Sequence, residues 1–434
     1  MQAIARPLTR VAPKHVRYAG SLSVWSAVPA GPPDPILGVT EAFKADKEPR
    51  KINLGVGAYR DENGKPYVLN AVKKAEETLA AQNPDKEYLP ITGLPEFTAS
   101  AAKLAYGADS IPLKEGRVSE AACGEQVAVT QSISGTGALR IGGAFLGRFY
   151  PHVKTIYLPV PSWGNHTPIF RDSGLEVKGY RYFDKKTVGL DFAGLKEDLK
   201  AAPEKAIVLL HACAHNPTGV DPTPEQWKEI SDIVKEKQLF PFFDMAYQGF
   251  ASGNTTRDAF AVRYFVEQGH QVAVSQSFAK NMGLYGERVG AFSLVTFSPE
   301  ERARVDSQLK IVIRPMYSNP PLHGARIAST ILRDEQLYKL WESEVKHMAD
   351  RIIQMRDRLY DNLVGQNTPG EWSHIKKQIG MFSFTGLTQP QTKALAEKAH
   401  IYMTADGRIS MAGLNGNNID YFSESVSKAV KGDL

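Results

Sequence analysis

Val272-Ala273-Val274-Ser275-Gln276-Ser277-Phe278-Ala279-Lys280-Asn281 decides how this 434-residue chain is read. A short strand-like run ends in two hydroxyls and a lysine, and Arg288 follows eight residues later. A lysine at a strand end can form a Schiff base with a carbonyl, provided its surroundings depress its pKa. The carbonyl that fits such a lysine is pyridoxal phosphate (PLP). That cofactor also needs a phosphate cradle, an acidic partner for its pyridine nitrogen, and a group to hold its ring.

Working outward, further strand candidates are Val127–Thr130, Thr155–Val160, Ala206–Cys213 and Leu239–Asp244 before this stretch, and Val289–Phe297 after it. Helical patterns alternate with them, including Pro224–Lys237 and Thr256–Gln268. Apolar strands alternating with helices predict an α/β fold with a mostly parallel sheet covered on both faces. Ligands in such sheets sit at the carboxyl ends of strands.

The residues at those ends carry chemistry. Val127–Thr130 runs towards Ser134-Gly135-Thr136-Gly137, read as a strand, glycine turn and helix whose free N–H groups and hydroxyls face an anion. Arg140 stands where a dinucleotide fingerprint requires its third glycine, and the P-loop Gly-Lys-Ser/Thr is missing. The turn therefore suits a single phosphate better than a pyrophosphate. Trp163 follows one strand and could stack on a ring, or could simply be core. His211 to Gly219 follows the next and contains the turn sequence Asn216-Pro217-Thr218-Gly219. His211 and His215 raise the question of a metal, but no adjacent acidic or cysteine cluster completes a site in the sequence. Asp244 ends the following strand after Phe242-Phe243, where a carboxylate needs a cationic partner such as a pyridinium.

Composition narrows the field. The net charge of +5 comes largely from residues 1–33, which hold Arg6, Arg10, Lys14 and Arg17 and no acid. Of the 52 basic residues, 48 remain without those four, against 47 acidic ones, so general nucleic-acid affinity is not implied. The acid-free leader reads as a mitochondrial transit peptide or as a disordered basic tail. Cys123 and Cys213 alone do not make a disulfide framework, which fits a reducing compartment. No apolar run is long enough to span a bilayer. Gly31-Pro32-Pro33-Asp34-Pro35 reads as a stiff extended arm. Towards the C-terminus, the spacing of Val345, Met348, Ile352, Met355, Leu359 and Leu363 predicts a long amphipathic helix. Gly380–Leu387 and Ile401–Met411 read as the sheet of a smaller domain carrying Arg408, which on its own reads best as a solvated arginine on an edge strand.

Taken in order from about Gly31, these motifs, with Ile313-Arg314-Pro315-Met316-Tyr317-Ser318-Asn319-Pro320-Pro321 and Gly407-Arg408-Ile409-Ser410, closely resemble the aspartate aminotransferases, fold-type I PLP enzymes, in their mitochondrial form. The resemblance implies a large domain (71–345) with a seven-stranded, mostly parallel sheet. It also implies a presequence (1–22), an arm with part of a small domain (23–70), and a small C-terminal domain (346–434). It implies ping-pong transfer of an amino group between L-aspartate and 2-oxoglutarate, giving oxaloacetate and L-glutamate, by a homodimer in the mitochondrial matrix. Lys280 resembles the Schiff-base lysine and general base, and Asp244 the partner of the pyridine nitrogen. Tyr247 and Asn216 resemble the groups on the ring hydroxyl, and Trp163 the stacking residue. Ser134, Gly135, Thr136, Ser277 and Arg288 resemble the phosphate cradle, with Tyr88 reaching the neighbouring subunit's phosphate. Arg408 resembles the clamp on the substrate α-carboxylate, and Arg314 the clamp on the distal carboxylate across the dimer. Val56, Gly57 and Ala58 resemble the strand that closes over substrate. Val118–Gln126 departs from the family pattern as an insertion. Two other functions stay open from the sequence: an aminotransferase for aromatic amino acids or kynurenine, and a non-enzymatic role in lipid or membrane binding.

Overall fold

The computed structural model describes residues 23–31, 35–114 and 126–434. The leader 1–22, residues 32–34 of the Gly31–Pro35 arm, and the insertion up to residue 125 lie outside the described residues. Pro35 opens a helix, Pro35–Ala45.

Seven strands form the central sheet: β1 (Val127–Ile133), β2 (Thr155–Val160), β3 (Glu176–Arg181), β4 (Ile207–His211), β5 (Phe240–Met245), β6 (Ala273–Ser277) and β7 (Val289–Val295). Their order is β1-β7-β6-β5-β4-β2-β3. The interior pairs β6·β5, β5·β4, β4·β2 and β2·β3 are parallel. Only β7 runs antiparallel, pairing Gly290 with Ser277 on one side and Val289 with Ile133 on the other.

Strand β5 shows why the sheet is buried on both faces. Successive side chains in a strand point to opposite sides. Phe242 joins an apolar cluster with Leu139, Phe145 and Phe292, while Phe243 joins the other with Trp227 and Phe265. Each fully buried phenylalanine contributes about 1.5–3 kcal/mol. The helix α1 (Ser134–Phe149) lies so close to the first cluster that a Cβ on Gly142 would come 2.5 Å from both Phe242 Cζ and Phe292 Cε2.

The first three of the following features differ from the reading of the sequence. Strand β3 was not read from the sequence because it is a polar edge strand, with only Tyr180 buried along it. No turn separates β1 from α1: the helix starts at Ser134, and Gly135 and Gly137 belong to it. The stretch 256–268 is two helices, Thr255–Asp258 and Phe260–Glu267, with Ala259 as cap of both. Arg314 lies in the helix α2 (Pro299–Tyr317), which accommodates Pro315 near its end, and the next helix, His323–Arg333, begins after the two prolines.

The long amphipathic helix is α3 (Glu335–Gly365), with the periodic residues from Val345 to Leu363 buried. It also caps another helix. Glu344 Oε1 accepts from the N–H of Asn70 at 2.7 Å, and Oε2 from that of Ala71 at 2.9 Å. Helix Asn70–Gln82 begins there with Leu69, which has no capping side chain of its own. Two small ladders complete the fold. Ile52–Asn53 pairs in parallel with Ile401–Tyr402, and Phe382–Phe384 pairs antiparallel with Arg408–Ser410. Sequence distant at both ends of the chain thus meets in one place.

Candidate active site

The carboxyl ends of β1, β5 and β6 and the chain leading into β7 converge on one cavity. It is lined by Ser134, Gly135, Thr136, Trp163, Asn216, Asp244, Tyr247, Ser277, Lys280 and Arg288, with Leu139, His211, Cys213, Ala246 and Ala279. Ten of the positions picked from the sequence therefore meet in one concavity.

The anion-binding side is built from backbone and hydroxyls. Ser134 Oγ lies 3.1 Å from Ser277 Oγ, and Ser275 Oγ donates to the Gly135 carbonyl at 3.1 Å. A Cβ on Gly135 would come 3.1 Å from Ser277 Cβ, a tight approach that would press on the Ser277 side chain. Helix α1 has no side-chain cap, which leaves the N–H groups that follow Ser134 in its first turn to an anion. Ser134 (φ 58°) and Arg288 (φ 55°) both hold left-handed backbone conformations. They are joined by Ser134 N–H donating to the Arg288 carbonyl at 3.0 Å. Non-glycine residues in this region are strained, and such strain collects at ligand sites.

Lys280 is held in an environment hostile to an ammonium. Burial and the Arg288 guanidinium lower its pKa to about 8, against the pull of Asp244. Its neutral fraction at neutral pH is therefore roughly 300-fold that of an ordinary lysine. Tyr247 is buried, and burial and the Asp244 carboxylate push its phenol above the usual range.

A directed chain of hydrogen bonds links Asn216 to Asp244. Asn216 N–H donates to His211 Nδ1 at 3.3 Å. His211 Nε2 lies 3.4 Å from Ser162 Oγ, and Ser162 Oγ lies 2.7 Å from His166 Nδ1. His166 Nε2 lies 3.0 Å from Asp244 Oδ2. Since the Asp244 carboxylate can only accept, His166 carries a proton on Nε2, and every link has a donor and an acceptor. Burial, aided by His166, lowers the His211 pKa to about 3, which keeps it neutral. His166 and Ser162 were missed as functional residues in the sequence. The one available signal was the cost of Asp244 beside two phenylalanines, which demands a donor without saying where it comes from.

Arg408 is 5 % exposed, which corrects the reading of it as a solvated edge residue. Its Nη2 donates to the Gly55 carbonyl at 3.1 Å, its guanidinium lies 4.5 Å from the Phe382 ring centroid, and its Nε is buried without a partner among the described residues. Burial lowers its pKa. A Cβ on Gly57 would come 2.9 Å from Phe382 Cζ, so Gly57 and Arg408 border the same ring. Tyr88 and Arg314 do not line the cavity. Tyr88 is 89 % exposed, and the exposed Arg314 donates from Nη1 to Ser318 Oγ at 3.0 Å.

These features fit a planar, phosphorylated group with a basic ring nitrogen and a carbonyl. The cradle takes an anion, Asp244 offers a carboxylate, and Asn216 Oδ1 is buried with no partner among the described residues. His166, His211 and Asp244 also present ligand atoms within 4.8 Å of one another, but the hydrogen-bond chain already uses all three.

The chain belongs to the class I and II aminotransferases, whose family model matches residues 49–426. It is 59% identical, over 94% of both chains, to the mitochondrial aspartate aminotransferase of Xenopus tropicalis. Among solved structures, the cytoplasmic aspartate aminotransferase of Saccharomyces cerevisiae superposes with a TM-score of 0.90 at 43% identity, covering 95% of this chain and 100% of that one. An aromatic-amino-acid aminotransferase of Burkholderia pseudomallei, covalently bound to pyridoxal phosphate, gives a TM-score of 0.90 at 44% identity over 94% of this chain and 100% of that one.

Proposed function

We propose that this chain is an aspartate transaminase, moving an amino group between L-aspartate and 2-oxoglutarate with PLP as cofactor to give oxaloacetate and L-glutamate in a ping-pong cycle. The observation that carries the reading is one cavity holding a depressed-pKa lysine, a supported carboxylate and an anion cradle. Arg408 does not line it but acts electrostatically on Tyr247, which does, and has an unused buried donor. The relatives with the same name support the reading over the length of the chain.

When bound, PLP supplies a carbonyl for Lys280 and a ring that accepts electrons. Ser134, Gly135, Thr136, Ser277 and Arg288 would hold its phosphate. Asp244, fixed by His166, would keep the ring nitrogen protonated. Tyr247 and Asn216 would serve the ring hydroxyl, and Trp163 would stack on the ring. As a free amine, Lys280 Nζ would remove the proton from the substrate Cα. Arg408 grips the α-carboxylate through the Nε–Nη fork, whose geometry suits two parallel hydrogen bonds. Val56, Gly57 and Ala58 close over the substrate.

Tyr88 and Arg314 serve the site of a second copy, as phosphate contact and distal-carboxylate clamp, in a homodimer. Their exposure away from their own cavity supports this. Residues 71–345 form the cofactor-binding domain, while 23–70 and 346–434 form the arm and small domain. The pairing of Ile52–Asn53 with Ile401–Tyr402 supports that division. Residues 1–22 act as a presequence directing the chain to the mitochondrial matrix, a reading supported by their basic, acid-free composition and by the mitochondrial relative. Among the described residues no helix is long and apolar enough to cross a membrane.

The test is the absorption spectrum of the PLP-loaded protein before and after aspartate is added without any oxo acid. Loss of the lysine-bound cofactor band with stoichiometric oxaloacetate is expected. A band that ignores aspartate and responds to phenylalanine refutes the dicarboxylate assignment.

A further inference from the structure

Tyr285 has no part in the roles assigned above, yet three of its groups touch three parts of the site. Its ring centroid lies 5.4 Å from Lys280 Nζ. Its hydroxyl accepts the N–H of Tyr59 at 2.9 Å. Its carbonyl accepts from Arg288 Nη1 at 3.0 Å. Tyr59 follows directly on Val56-Gly57-Ala58, so one side chain spans from the lysine to the segment that closes over substrate. The connection Phe278–Arg288 between β6 and β7 supplies all of this from eleven consecutive residues.

We propose that Tyr285 is a positioning residue with two separable parts: its ring sets how readily Lys280 holds a proton, and its hydroxyl pins the closing segment at Tyr59. This rests on the reading of Lys280 as the cofactor-linked lysine. The face of an aromatic ring carries negative potential and attracts an ammonium, most strongly where water is excluded. The charged and titratable groups around Lys280 otherwise pull in both directions. Arg288 opposes its charge and Asp244 favours it, while Tyr247 shares the cavity. The ring is thus a neutral counterweight to Arg288, and its carbonyl holds that same arginine by its guanidinium. Burial pushes the Tyr285 phenol up to about 12, so near neutral pH it stays an uncharged hydroxyl that can accept the Tyr59 N–H.

Tyr285→Phe keeps the ring and removes the acceptor, while Tyr285→Leu removes both. The first readout is the rate at which trinitrobenzenesulfonate labels Lys280 in the cofactor-free protein, followed against pH by peptide mass spectrometry. Wild type and Tyr285→Phe are expected to share a midpoint near pH 8. Tyr285→Leu is expected to shift it down by about half a pH unit, because the ammonium loses its ring. The second readout is hydrogen exchange of peptides covering residues 56–60. Tyr285→Phe is expected to speed exchange at Tyr59 about tenfold, as for a net hydrogen bond worth roughly 1.4 kcal/mol. A Tyr285→Leu midpoint that stays put or rises overturns the role of the ring. Unchanged exchange at Tyr59 in Tyr285→Phe overturns the role of the hydroxyl, and needs no Leu variant to fold. Neither readout uses cofactor or substrate, so failure here is distinct from failure of the transaminase reading, which shows in the aspartate-dependent spectrum.

Discussion

Replacing Arg408 with glutamine separates binding from stability. Without substrate, and among the described residues, the Arg408 side chain makes one hydrogen bond, to the Gly55 carbonyl, and one ring contact, to Phe382. The first is worth about 1 kcal/mol and the second about 0.5–2 kcal/mol. Against these stand the burial of a cation, which costs several kcal/mol, and the orphaned Nε, about 1–3 kcal/mol more. The nearby Asp406 favours the charge without pairing with it directly. The balance is close to zero or unfavourable, so Arg408→Gln is expected to keep or raise the thermal midpoint of the cofactor-free protein. With substrate bound, a carboxylate takes the empty donor positions. Removing one side of a buried charge pair costs about 2–5 kcal/mol, a loss of roughly 30- to 5,000-fold in kcat/KM for aspartate. Arg408→Lys keeps the charge without the fork and is expected to fall between the two. The assays are differential scanning fluorimetry and steady-state kinetics on the same preparations. A midpoint lowered by several degrees, with kcat/KM changed less than about tenfold, would make Arg408 a structural arginine and sink the reasoning.

Lys280→Ala is expected to abolish turnover while still binding PLP non-covalently, checked by equilibrium dialysis; normal transamination refutes the role of the lysine. Because the folded protein lowers the Lys280 pKa to about 8, the unfolded chain binds the extra proton between about pH 8 and its ordinary value. The resulting destabilisation is full below that window and fades as pH rises through it, so Lys280→Met is expected to raise the thermal midpoint more at pH 7 than at pH 10. Arg314→Ala is expected to raise KM for aspartate far more than for phenylalanine in the dimer; equal increases rule it out as the distal clamp. Gly142→Ala gains about 1 kcal/mol of helix propensity. Its Cβ, however, meets Phe242 and Phe292 at 2.5 Å, and overpacking of about 1–3 kcal/mol or more is expected to win, seen as a lower thermal midpoint.

What could be read from the sequence follows what is local. The runs of β2, β4 and β5 were legible because they are mostly hydrophobic and mostly buried, and β6 because the apolar Val272-Ala273-Val274 leads into its hydroxyls. Strand β3 was hidden by its composition, Glu176-Val177-Lys178-Gly179-Tyr180-Arg181, which an edge tolerates and a pattern search rejects. The start of α1 was misplaced because Gly135 and Gly137 look like a turn; their backbone approaches Ser277 and Ile133 instead, and the helix absorbs them. Lys280 and Asp244 were legible as chemistry because a strand end exposes them to ligands. Arg408 taken alone read as solvated, since nothing nearby in sequence announces Phe382 beneath it. His166, Ser162 and Tyr285 act through partners 78, 49 and 226 positions away. No local pattern encodes such distances.

The antiparallel course of β7 has a consequence for how this site can form and how it can be altered. Because β7 returns directly beside β6, Ser277, Lys280, Tyr285 and Arg288 are gathered by a short connection rather than by a helical crossover. Closing so short a loop costs little chain entropy, and its contacts are available early in folding. The half of the site that meets Asp244 and Arg408 must wait for the rest of the chain. New termini or added domains are therefore tolerable in the long crossovers between the parallel strands, where the chain only has to span a distance. Within 278–288 a single inserted residue would turn the lysine and the arginine away from each other.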